Sequence, residues 1–77
     1  MWFVYILRSR DGRFYTGSTN NIERRFKEHQ SGRGGKFTKA FGAEELLYQE
    51  EVPTRQEALR REAQIKRWSR KRKELLI

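Results

Sequence analysis

Seventy-seven residues, 35% of them hydrophobic and 13% aromatic, support one small core, so a single domain over 1–77 is expected and two separate cores are excluded. With no cysteine, a disulfide framework, a thiolate zinc site and a cysteine nucleophile are excluded; no apolar run approaches the roughly 18 residues of a membrane span and no signal-peptide pattern opens the chain, so a cytoplasmic protein without membrane attachment is expected. Eighteen Lys and Arg against ten Asp and Glu leave a net charge of +8, which favours a polyanionic partner, most simply nucleic acid.

The charge is unevenly spread. Residues 1–43 carry nine basic and three acidic groups, residues 44–51 four acidic and no basic, and residues 52–77 nine basic and three acidic. The stretch WFVYILR at 2–8 is aromatic and β-branched, RFYT at 13–16 continues that preference, and Asp11-Gly12 between them signals a hairpin. Apolar groups on both sides of the first strand predict a central strand covered on both faces. A helix is expected over STNNIERRFKEHQSG, capped by Asn20 with Glu23 three positions later and stopped at Ser31-Gly32. At about 100° per residue, Ile22, Arg25, Phe26 and His29 share one face and Arg24, Lys27 and Glu28 point away.

GRGGKFTKAFG at 32–42 has no clear period and reads as a basic, glycine-rich loop, with or without a short helical turn. EELLYQEEV at 44–52 predicts a third strand, ended by Pro53, with Leu47 and Tyr48 packed. The clearest helix signal is PTRQEALRREAQIKRW, where Thr54 and Glu57 form a capping box and Ala58, Leu59, Ile65 and Trp68 recur on one side. A short last helix is expected from Ser69, with Leu75, Leu76 and Ile77 folded back. The element order is thus β-β-α-β-α-α, an α+β chain.

Five residues in this pattern carry chemistry. Glu62 falls among the apolar positions of its helix, where a carboxylate must be paired or must hold a metal. A salt bridge to an arginine such as Arg25 satisfies it; so does Mg²⁺ or Mn²⁺, hard cations that accept one carboxylate and keep several waters. Arg25 and His29, at i and i+4, suit phosphate binding and the orientation of a phenol or a water, although a histidine beside an apolar stripe is also an ordinary structural residue. Tyr5 and Tyr15 suit strands as core residues; a chemical role for either needs a nearby cation to favour phenolate, or a water to orient. Arg33, Lys36 and Lys39 in the loop, and Lys66, Arg70 and Lys71 in the run KRWSRKRK, are candidate phosphate contacts, and the loop lacks the spacing of a nucleotide-triphosphate cradle.

The set resembles the GIY-YIG nuclease superfamily, in particular its small stand-alone members of UPF0213 type. Phe3-Val4-Tyr5 stands at the GIY position, Tyr15-Thr16-Gly17 at the YIG position, GSTNNIERRFKEH resembles the segment bearing the family's Arg and His, and EALRREAQIK the helix bearing its Glu. The resemblance implies a three-stranded antiparallel sheet flanked by helices. It also implies roles: Tyr5 as the first motif tyrosine, which activates water, Tyr15 as the second, Arg25 stabilising phosphoryl charge, His29 supporting the tyrosine, and Glu62 holding one divalent metal, Mg²⁺ or Mn²⁺. Phe3 replaces the motif glycine and Thr16 the second isoleucine. The expected activity is metal-dependent endonucleolytic hydrolysis of DNA. Two rivals are a non-catalytic nucleic-acid-binding module of the same fold and an interaction domain whose basic helices meet an acidic protein.

Overall fold

A computed structural model describes residues 1–30 and 43–77 of the chain. The stretch holding Arg33, Lys36 and Lys39 lies outside the described residues. Strand β1, Trp2–Ser9, lies between β2, Phe14–Thr19, and β3, Ala43–Val52, and both pairings are antiparallel. Helix α1 spans Ile22–Gln30, α2 Arg55–Lys66 and α3 Arg70–Glu74, which gives the expected α+β order of β-β-α-β-α-α.

The hairpin is set by its turn. Gly12 adopts φ +88°, a conformation that glycine takes without steric cost. Its amide donates to the Ser9 carbonyl at 3.0 Å, and Ser9 N–H donates to the Arg13 carbonyl at 2.8 Å. The Ser9 hydroxyl donates to the Asp11 carboxylate, which also accepts from the Arg13 amide. This turn places Tyr5 opposite Gly17, Val4 opposite Ser18 and Ile6 opposite Thr16.

Alternation along β1 then divides the core. Val4 and Ile6 face α2 and bury Ala58 and Ile65, joined by Trp2, Phe14, Leu47, Tyr48, Val52, Trp68 and Leu76. Tyr5 and Leu7 face α1, with Tyr15, Ile22, Phe26 and Leu46 against them. A bulge in β3, where Ile6 pairs with Tyr48 but Leu7 with Leu46, turns the consecutive residues Leu47 and Tyr48 toward the same cluster. Both were expected to pack, and the bulge explains how two neighbours can do so.

Three expectations change in detail. Asn21, not Asn20, caps α1: its Oδ1 accepts from Arg24 N–H at 3.0 Å, because the Thr19 hydroxyl draws in the Asn21 amide and delays the helix by one residue. On α2 Ala58 and Ile65 are buried with Glu62 half-buried between them, and Leu59 is 48% exposed, one position off the face that meets the sheet. At the carboxyl end, Leu76 returns to the core while Leu75 and Ile77 stay exposed, since the short α3, capped by Ser69, turns only one side inward. Thr54 caps α2 as expected, accepting from Glu57 N–H at 3.2 Å.

Two carboxylates of the acidic strand are paired within the fold. Glu45 meets Arg8 at 3.3 Å, and Glu50 meets Arg61 at 2.9 Å while accepting from the Tyr48 hydroxyl. Among the described residues no helix is long and apolar enough to cross a membrane. Ile65→Ala is expected to lower the free energy of unfolding by about 2–5 kcal/mol and Leu59→Ala by less than about 0.5 kcal/mol, as read from urea denaturation midpoints with an unchanged slope.

Candidate functional site

The site is built around a missing side chain. A Cβ at Gly17 would stand 2.5 Å from the Tyr5 hydroxyl oxygen and 2.7 Å from its ring carbon Cζ, closer than atoms pack. Glycine at this position therefore lets the Tyr5 phenol lie flat across the edge strand β2. The ring is 2% exposed, and its hydroxyl reaches His29 Nε2 at 2.9 Å.

Helix α1 supplies the partners from the face predicted for it. His29 is fully buried, 5.8 Å from the Tyr5 ring and 4.9 Å from the Tyr15 ring, centroid to centroid. Arg25, one turn earlier, stands beside the Tyr5 hydroxyl and meets Glu28 at 3.6 Å. The Tyr5 hydroxyl and His29 Nε2 share one hydrogen bond, and the imidazole tautomer decides which of them donates.

Burial sets the charge states. Desolvation raises the Tyr5 phenol from 10.0 to about 12; the neighbouring Arg25 guanidinium opposes this, and the fields of Tyr15 and Glu62 add to it. Desolvation also lowers His29 from 6.5 to about 4, with the Arg25 charge acting in the same direction and Glu28 against it. Both groups are neutral at pH 7, which suits a hydrogen-bonded pair rather than an ion pair.

Glu62 approaches from the opposite face of the sheet. Ser18 alternates with Gly17 and so faces α2, where its hydroxyl donates to Glu62 Oε1 at 2.5 Å. Lys66, one helical turn on, meets Oε2 at 2.7 Å. The pairing of Glu62 with Arg25, one of the two expectations for it, does not form: Arg25 turns to Tyr5 and Glu28 on the other face. The Glu62 side chain is 18% exposed, so the carboxylate keeps an opening to solvent.

The two clusters meet at the end of β2. An open cleft of about 300 Å³ is lined by Trp2, Ser18, Thr19, Asn20, Arg24, Arg25 and Glu28. It thus touches Ser18, the partner of Glu62, and Arg25, the partner of Tyr5. Arg24, expected to point away, borders this cleft and donates to Asn20 Oδ1 at 3.3 Å. Phe3, at the position of the motif glycine, pairs with Thr19 and Glu51 and borders a neighbouring cleft with Asn20, Ile22 and Gln49.

The other predicted phosphate contacts divide. Lys66 is at Glu62. Arg70 lies elsewhere, 4.1 Å over the Phe14 ring, donating to the Gly12 carbonyl at 2.7 Å and paired with Glu74 at 3.2 Å. Lys71 is exposed on α3. Ser18 was missed by the sequence reading, although the alternation that puts Tyr15 and Gly17 on the α1 side puts Thr16 and Ser18 on the side of α2.

Because the folded protein resists protonation of His29, the unfolded chain takes up that proton first. Stability present above pH 6.5 is therefore lost as pH falls through the interval down to about 4. The full loss amounts to up to about 3 kcal/mol. Denaturant melts between pH 7 and 4 are expected to show this slope in the wild type and a flatter one in His29→Gln; parallel slopes would mean that His29 titrates normally.

Comparison with known proteins bears on the family and the fold. The family model described as the GIY-YIG catalytic domain matches residues 1–75. The chain is 43% identical over 75 residues to UPF0213 protein BH0048 of Halalkalibacterium halodurans, covering 97% of this chain and 80% of that one. It is 44% identical to UPF0213 protein SSP2268 of Staphylococcus saprophyticus, covering 97% and 92%, and 40% identical to UPF0213 protein YhbQ of Escherichia coli K12, covering 99% and 76%. The solution NMR structure of BH0048, from Bacillus halodurans, superposes with a TM-score of 0.60 at 43% identity, over 99% of this chain and 82% of that one. The chain belongs to the GIY-YIG family, a nuclease-type family, and is similar to its UPF0213 members.

Proposed function

We propose that the protein is a divalent-metal-dependent endonuclease that hydrolyses a phosphodiester bond in DNA, with Tyr5, Tyr15, Arg25, His29 and Glu62 as its working residues. The reading is carried by one observation: Arg25 beside Tyr5, and Ser18, which holds Glu62, line the same cleft at the end of β2, next to Gly17 in the chain. Both clusters stand on one sheet, which supports treating residues 1–77 as one domain.

The donor set suits a hard cation. Among the described residues no group of three or more His, Cys, Asp or Glu could hold a metal together, so Glu62 would bind alone. That matches Mg²⁺ or Mn²⁺, which take one carboxylate and complete their shells with water and phosphate oxygens. His29 Nε2 is engaged by Tyr5, and no thiolate exists to attract zinc. When bound, the ion would supply Lewis-acid polarisation of the phosphate and relief of charge on the leaving oxygen.

The protein's own groups do the rest. Tyr5, with its phenol raised to about 12, stays protonated near neutrality and is no phenolate base. Its oxygen instead aligns the attacking water, while the hydrogen bond to His29 Nε2 holds the hydroxyl in place. Arg25 stands beside Tyr5, pairs with Glu28 and lines the cleft, a position from which it would neutralise charge on a pentacoordinate phosphorus. Tyr15 packs its ring against the His29 imidazole and so helps to hold it in place beside Tyr5. Water adds to phosphorus and loses a proton as the leaving oxygen departs and gains one. The net charge of +8 supports binding of the polyanion, with an affinity that falls steeply with added salt.

Glu62→Ala is expected to lose Mg²⁺- or Mn²⁺-dependent cleavage by about 100-fold or more while its melting temperature stays close to wild type. Tyr5→Phe is expected to lose cleavage without losing DNA binding. A panel of single-stranded, duplex and branched DNA beside RNA, with each ion, checks both. Undiminished cleavage by Glu62→Ala would remove the mechanism, and salt-sensitive binding with no cleavage of any substrate would replace it with a binding module.

A further inference from the structure

Both oxygens of Glu62 are already taken. Ser18 holds Oε1 at 2.5 Å and Lys66 holds Oε2 at 2.7 Å. The two partners differ in how easily they leave. Ser18 is fixed in β2 by its place opposite Val4. Lys66 is the last residue of α2, its side chain is 51% exposed, and its ammonium rides on a flexible four-carbon stem. A cation arriving at Glu62 must meet Lys66 first, as a competitor for Oε2 and as a like charge.

We propose that Lys66 is an exchangeable counter-ion that couples cation loading to nucleic-acid binding. Without nucleic acid, its ammonium sits on Glu62 and holds down affinity for a divalent cation. A backbone phosphate entering the cleft beside Ser18 draws Lys66 away and exposes Oε2. The exchange runs equally in reverse: a cation on Glu62 frees Lys66 for the phosphate, so each ligand strengthens the other by the same factor. Lys66 is a positioning residue in this scheme, acting on the reacting phosphate through Glu62. The proposal rests on the reading of Glu62 as the cation ligand.

An ordinary i,i+4 surface pair would be indifferent to both ligands. The discriminating measurement is Mn²⁺ binding by titration calorimetry, with wild type, Lys66→Gln, Lys66→Arg and Glu62→Gln, each alone and with a short phosphorothioate DNA oligonucleotide. Wild type is expected to bind Mn²⁺ roughly fivefold or more tightly when the oligonucleotide is present. Lys66→Gln is expected to bind Mn²⁺ more tightly than wild type by about the same factor when alone, with little further gain from the oligonucleotide. Lys66→Arg, which keeps the charge, should retain the coupling. Equal Mn²⁺ affinities and equal oligonucleotide dependence in wild type and Lys66→Gln, with Glu62→Gln binding no ion, would overturn the exchange and leave Glu62 as the ligand. Unchanged binding by Glu62→Gln would instead overturn the ligand assignment, and the exchange with it.

Discussion

The contact between the Tyr5 ring and the bare backbone of Gly17 is the constraint on which the rest of the site depends. In most antiparallel pairs a residue directly opposite an aromatic contributes its own side chain to the contact. Here the space is given to the phenol, which turns over the edge strand instead of standing away from it. That direction delivers the hydroxyl to Arg25 and His29 on α1. It also leaves the next residue, Ser18, to face the other way and engage Glu62 on α2. One glycine thereby lets two helices on opposite faces of a three-stranded sheet contribute to one edge.

Charge follows the same economy. The chain is strongly basic, yet two carboxylates of its acidic strand, Glu45 and Glu50, are paired with Arg8 and Arg61, and Arg70 is tied to the hairpin turn. Arg72 of the basic run is structural as well, flanking the Trp68 ring at 4.5 Å with Arg61 at 5.1 Å. Among the described residues the positive groups nearest the cleft are Arg24, Arg25 and, through Glu62, Lys66. Net charge concentrates a polyanion near the surface, but these few side chains decide where on it a phosphate would come to rest.

Much of this was legible in the sequence because it rests on local rules. Asp11-Gly12 announces its turn, the spacing of Ile22, Arg25, Phe26 and His29 announces a shared face, and a lone carboxylate between Ala58 and Ile65 announces a need for partners. What stayed hidden depends on register. Whether Leu59 or only Ala58 meets the sheet turns on a rotation of the helix by one residue, and the cap moved from Asn20 to Asn21 through a side-chain bond to Thr19. The partners of Glu62 could not be read because Ser18 is 44 residues away and becomes its neighbour only when α2 crosses β2.

The central claim is that the Tyr5 cluster and Glu62 serve a single reacting phosphate around Gly17. Paramagnetic broadening by Mn²⁺, recorded on labelled protein bound to a phosphorothioate oligonucleotide, tests it most directly. The account predicts that the amides of Gly17, Ser18 and Glu62 broaden together with the ring signals of Tyr5 and of His29, the one histidine in the chain. Broadening confined to the acidic strand around Glu45, Glu50 and Glu51, with the Gly17 edge untouched, would contradict it.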